Sequence, residues 1–171
     1  METFRRQQYK IQRGNLVIFV AVGTQFPFNR LIKAVDEWVG KNNETAFAQI
    51  AEGDYLPKHM QWERFLDAQA YNDTLEQASL IVAHAGMGNI ITACEKQIPI
   101  IVMNRQYKLG EHRNDHQADG LTWMGQLAGV YTASNNEELL SYLDNHTSLE
   151  QPQLAESSKR NELIQYINSQ I

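Results

Sequence analysis

Strand-length apolar runs alternate with segments of helical periodicity along most of this chain, and that alternation is the pattern of a parallel sheet covered by helices. The first run, Leu16 to Val22, ends at Gly23-Thr24. Leu31, Ile32, Val35 and Val39 then recur at helical spacing in a segment expected to stop near Gly40. A short strand from Ala46 to Ala51 ends at Gly53, and a further extended piece covers Met60 to Phe65. Next come a helix from Ala68 to Ala78, a strand from Leu80 to His84, a helix from Gly88 to Lys96 and a strand from Ile98 to Met103. After the polar string RQYKLGEHRNDHQ, residues Gln117 to Leu127 read as helix, Val130 to Thr132 as a last strand, and Asn135 to Leu143 as a helix capped by Ser134 or Asn135. Residues 144–157 read as loop, and an amphipathic closing helix over about 155–170 carries Leu163, Ile164 and Ile167. The expected fold is a single Rossmann-like α/β domain over residues 1–171, its core at about 15–145, with helices on both faces of a parallel sheet.

Composition excludes several other classes. With 43% hydrophobic and 20% charged residues, 171 residues suit one well-buried core. A net charge of −5 argues against nonspecific nucleic-acid binding. Cys94 is the single cysteine, so no intrachain disulfide is possible. The stretch METFRRQQYKIQRGN lacks the apolar core of a signal peptide. The longest apolar run, Leu16 to Val22, is roughly a third of the ~20 residues a spanning helix needs. A cytoplasmic location is expected.

Ligands of open parallel sheets sit at the carboxyl ends of the strands, where three loops begin here: Gly23 to Phe28, His84 to Asn89, and Asn104 to Gln117. The turn His84-Ala85-Gly86-Met87-Gly88-Asn89 opens a helix, and glycines there allow a tight turn and close backbone approach to a diphosphate. Taken one at a time, each glycine is more often a plain turn residue than a ligand contact. His84, at the end of a buried strand, is open between supporting the backbone, packing and catalysis. His84, His112 and His116 lack the cysteine pair or H-E-x-x-H spacing of a zinc site, so no metal is expected.

Three segments, GTQFPFNRL at 23–31, AHAGMGNIITACE at 83–95 and LGEHRNDHQ at 109–117, resemble the C-terminal, donor-binding domain of family 28 glycosyltransferases. The likeness runs from about Val17 to Tyr142 and is strongest to soluble subunits of two-part bacterial exopolysaccharide and capsule enzymes. These are similar to the cytosolic subunit of the dolichol-linked N-acetylglucosaminyltransferase. The resemblance implies half of a GT-B enzyme, an inverting transfer from a UDP-sugar to a lipid-linked acceptor, no cofactor and no metal. It also implies a membrane-anchored partner subunit that carries the acceptor site and the catalytic base, and so recruitment to the inner membrane face. Galactose, glucuronic acid and N-acetylglucosamine are the sugars it suggests.

On the same basis the donor is expected to meet Gly23, Thr24, His84, Ala85, Gly86, Met87, Gly88 and Asn89. Glu95, about two helical turns beyond the glycines, is expected at the ribose hydroxyls. Arg105, Glu111, Arg113, Asp115, His116 and Gln117 complete the set, with Gln117 at the sugar; Arg113 and Asp115 are also readable as a surface ion pair. Asn89, Gln97 and Asn104 depart from the family pattern, which has Ser or Thr, Gly and Pro there. A dinucleotide-dependent oxidoreductase would show G-x-G-x-x-G after the first strand, where GTQFPF stands instead. A noncatalytic nucleotide-binding module and a homo-oligomer active alone remain open alternatives.

Overall fold

The computed structural model describes residues 17–111, 116–152 and 166, with the backbone alone for 116–119. Six parallel strands form one sheet in the order β3-β2-β1-β4-β5-β6. They are β1 (Val17–Ala21), β2 (Ala46–Gln49), β3 (Gln61–Glu63), β4 (Ala78–His84), β5 (Ile100–Met103) and β6 (Val130–Ala133). The helices between them are α1 (Asn29–Asn42), α2 (Ala68–Leu75), α3 (Met87–Lys96), α4 (His116–Met124) and α5 (Asn136–Asp144).

The centre of the sheet is covered on both faces, which is why β1, β4 and β5 read as continuous apolar runs rather than alternating ones. Ile18 and Val20 of β1 pack with Leu31, Val35, Leu139 and Leu143 on the α1 and α5 face. Val17, Phe19 and Ala21 face the opposite way, toward Leu75, Ile90, Ala93, Leu121 and Met124 of α2, α3 and α4. Both layers therefore clamp the strands whose carboxyl ends carry the loops.

Element order matched the sequence pattern, while the boundaries moved for local reasons. Helix α1 runs through Gly40 and ends at Asn43, whose left-handed φ of 54° closes the helix with a bond from its N–H to the Val39 carbonyl. Gly40 serves close packing instead, since a Cβ there would stand 2.6 Å from the His59 ring. Strand β5 starts at Ile100 because Gln97 turns left-handed at φ 54° to cap α3. Helix α4 ends at Met124, after which Gln126 and Leu127 donate to carbonyls three residues back and tighten the last turn. At α5 the capping residue is Asn135, whose side chain accepts from the Glu138 N–H.

Asp36 of α1 is fully buried and organises the connection from β2 to β3. Its carboxylate accepts from the N–H groups of Lys58, His59 and Met60 and from the Tyr55 hydroxyl. Burial alone would raise its pKa, but these donors outweigh it and hold the group below its ordinary value. Tyr55 is pushed up to about 12 by burial and by its bond to that carboxylate. Most of the expected closing helix lies outside the described residues. Tyr166, within that stretch, is helical and stacks on Trp123 at 4.8 Å.

Candidate functional site

Strand order reverses between β1 and β4, so the loops leaving these neighbours diverge and open a crevice at the carboxyl edge. The β1 loop begins at Gly23, whose φ of 77° suits glycine alone. The β4 loop begins at His84, and its imidazole fills the space between the two loops. A Cβ on Gly23 would lie 2.9 Å from His84 Cε1, and one on Gly86 would lie 2.5 Å from His84 Nε2. Gly86 itself has an extended φ of −121°, so the tight-turn reason expected for it does not hold; room for the histidine is what it provides. His84 Nδ1 lies 3.4 Å from the Ala21 carbonyl and 3.3 Å from Asn89 Nδ2. The ring thus ties β1, β4 and the start of α3 together, a supporting role.

Helix α3 starts without a side-chain cap: Gly86 holds the N-cap position and has no side chain to offer. Helices α2 and α5, by contrast, are capped by Asp67 and Asn135. The Asn89 N–H returns to the Gly86 carbonyl at 3.1 Å. The preceding turn, with Met87 and Gly88, presents its N–H groups and the positive end of the helix dipole to the crevice, which is the arrangement that receives an anion. Around Gly88 there is open space: among the described residues, none beyond its own turn of helix comes within 4 Å of where a Cβ would stand.

A cleft of about 360 Å³ adjoins this turn on the β2 side, within the range that holds a small organic ligand. Gly23 and Thr24 form one wall, Gln49 and Asn89 contribute amides, and Leu66, Asp67 and Tyr71 close the side toward α2. Burial pushes the Tyr71 phenol up, so it stays neutral. The cleft has no lysine or arginine in its wall. Its chemistry suits a neutral, partly flat group beside an anion-binding turn.

On the other side, Arg105 and Glu111 do different work from the ligand contact expected of them. Arg105 is buried and donates to the carbonyls of Val22 and Phe26 at 2.6 and 2.7 Å, gripping the β1 loop at both ends. Desolvation lowers its pKa to about 10, partly countered by Glu111, so the guanidinium remains charged at neutral pH. Glu111 is engaged by Arg30 through two bonds of 2.8 Å. Both guanidinium groups flank the buried Phe28 ring, each 5.2 Å from its centroid. These residues fix the β1 loop against the β5 loop.

Among the expected contacts, Gly23, Thr24 and Asn89 line the cleft, and Gly86, Met87 and Gly88 form the turn beside it. Ala85 is buried in the core, and only its backbone, bonded to the Met103 carbonyl, reaches the edge. Glu95 is exposed and is not among the residues lining the cleft; seven residues past Gly88, it lies about two helical turns on and returns to nearly the side of α3 that Gly88 occupies. His116 and Gln117 begin α4 below the same edge, while Arg113 and Asp115 lie outside the described residues. The wall from Gln49 to Tyr71 was missed. Its signal was a polar residue closing the apolar run AFAQ, and the helix-capping Asp67.

Residues 17–169 match the glycosyltransferase family 28 C-terminal domain. The chain belongs to this family. Over 108 residues it is 32% identical to the mouse UDP-N-acetylglucosamine transferase subunit ALG13, a match that takes in 56% of this chain and 9% of that protein. The chain therefore corresponds to a small part of the curated relatives it matches. An NMR structure of ALG13 superposes with a TM-score of 0.61 at 15% identity, covering 88% of this chain and 94% of the other. The glycotransferase of kitacinnamycin gives the same TM-score at 17% identity, covering 86% of this chain and 39% of that one. The fold is that of one half of a GT-B glycosyltransferase.

Proposed function

We propose that this chain is the donor-binding subunit of an inverting glycosyltransferase, which passes a sugar from a UDP-sugar to a lipid-linked acceptor. The observation that carries this reading is the uncapped first turn of α3, open onto a neutral cleft at the point where strand order reverses. The leaving diphosphate rests on the N–H groups of Met87 and Gly88, whose dipoles are aimed before the bond breaks and so stabilise the charge as it develops. No metal is needed for that step. The nucleoside lies over β1 and β2 in the cleft, and the sugar points the opposite way, toward the β5 loop and Gln117 at the start of α4.

The match to proteins named as a UDP-N-acetylglucosamine transferase subunit supports both a UDP-linked donor and a partner polypeptide. The partner is membrane-associated and supplies the acceptor site and the base, since His84 is held in a supporting position. The chain then works at the cytoplasmic face of the membrane, in exopolysaccharide or capsule synthesis. Thermal stabilisation by UDP, UDP-sugars, other nucleotide sugars and NAD, with and without EDTA, tests the reading. At ligand about 100-fold above Kd the midpoint should rise about 5–10 °C with UDP and one UDP-sugar, unaffected by EDTA. A shift with NAD alone, or one abolished by EDTA, would overturn it.

A further inference from the structure

Gln49 closes β2 beside Ala21, to which it is paired in the sheet. Gln49 is 4% exposed, its side chain lines the cleft, and among the described residues it has no hydrogen-bond partner. The amide meets solvent only through the cleft, so its donor and acceptor are available to whatever fills that space. The neighbouring backbone is held with similar insistence. Two residues on, Ala51 adopts a left-handed φ of 51°, fixed by its N–H to the Arg64 carbonyl and by the Arg64 guanidinium on its own carbonyl. The amide is therefore presented by rigid surroundings that make no use of it.

The sheet says which part of a ligand it meets. Neighbouring strands lie about 4.8 Å apart, so the end of β2 is roughly 10 Å from the end of β4, where the anion-binding turn begins. That span suits the distance from a diphosphate to the base of the same nucleotide. The wall around Gln49 is uncharged apart from Asp67, whose carboxylate is engaged by the Ala70 N–H, and Tyr71 contributes an aromatic side chain. We infer that Gln49 hydrogen-bonds the edge of the nucleobase and so is a specificity-determining residue of the donor site. Its carbonyl accepts from the ring N–H of uracil while its NH₂ donates to the adjacent ring carbonyl. This inference rests on the proposed function, in which α3 holds the diphosphate.

The test is Gln49→Leu, close in size and apolar, titrated calorimetrically with UDP and with pyrophosphate, alongside melting of the ligand-free chain. Removing an amide that has no partner in the protein should leave the ligand-free melting point unchanged or raise it. UDP affinity should fall about tenfold while pyrophosphate affinity stays within twofold. Gln49→Glu, which offers only acceptors when ionised, should lower the preference for UDP over CDP, whose base presents an amino group at that edge, and serves also if the leucine variant fails to fold. Equal losses for UDP and pyrophosphate would make Gln49 a determinant of cleft shape and overturn the inference, as would unchanged UDP affinity. Either result leaves the proposed function standing, whereas a parent chain that binds no nucleotide overturns both.

Discussion

Gly88→Ala separates the two reasons a glycine can stand at the start of α3. Among the described residues, nothing beyond the local helix lies within 4 Å of the added methyl, and the residue has no positive φ. The change therefore introduces no clash and no backbone strain. Alanine exceeds glycine by about 0.8–1 kcal/mol in a helix interior, and by roughly half of that in a first turn, where fewer bonds depend on the residue. For a chain of this length the melting point should rise about 1–2 °C. If the diphosphate rests on this turn, the same methyl stands in its path, and UDP affinity should drop at least tenfold, about 1.4 kcal/mol. Stability and binding thus move in opposite directions, a signature that general damage cannot produce. Gly86→Ala is the control: its Cβ meets His84 Nε2 at 2.5 Å, so the ring must shift, and stability should fall by about 1–3 kcal/mol. Calorimetric titration with UDP and thermal melting of both variants read the two effects. Parent-like UDP affinity in Gly88→Ala would remove the α3 turn from the phosphate site.

Two further perturbations test the scaffold around the site. Gln97 is exposed and left-handed at φ 54°, so Gln97→Gly should stabilise by about 0.5–1 kcal/mol, the relief of that conformation less the extra freedom of unfolded glycine; a lower urea midpoint would contradict the capping geometry. Asp36→Asn replaces one acceptor oxygen with a donor amid three N–H groups and a hydroxyl, and should cost about 2–4 kcal/mol near neutral pH. Because the folded-state pKa of Asp36 is lowered, its contribution is complete above the unfolded value of about 3.9 and is lost as pH falls through the folded value. The stability gap between parent and variant, measured by urea unfolding, should therefore be constant above about pH 5 and shrink below about pH 4; a gap independent of pH would contradict the role given to the carboxylate.

Much of this architecture was legible in the residues because burial on both faces makes the centres of β1, β4 and β5 continuous apolar runs of strand length, alternating with segments of helical periodicity. What escaped the sequence were close approaches between distant segments. Gly40 looked like a stop because its packing partner, His59, is far along the chain. Arg105 and Glu111 were expected at the donor because the family resemblance covers the loop that carries them. Only the fold shows Val22, Phe26 and Arg30 within their reach. Glu95 is the opposite case, since its spacing of seven residues from Gly88 already gives its side of α3.

The reverse case is Gln49, whose type and position in a buried strand suggest a packed core amide. In the fold it is the polar group of β2 turned to the cleft, while on the other side Arg105 grips main chain and Glu111 is held by Arg30. The division of labour across the switch point follows from this. On the β5 side, Arg30, Arg105 and Glu111 fix the loop that carries Gly23 and Thr24. On the β2 side, the amides of Gln49 and Asn89 line the cleft beside an uncapped helix. Under the proposed function such a site would discriminate through uncharged hydrogen bonds and shape, and draw its affinity for the anion from backbone dipoles. If backbone dipoles hold the phosphates in this way, UDP affinity measured by calorimetric titration should depend only weakly on ionic strength, and a steep fall with added salt would point to a cationic side chain at the phosphates instead.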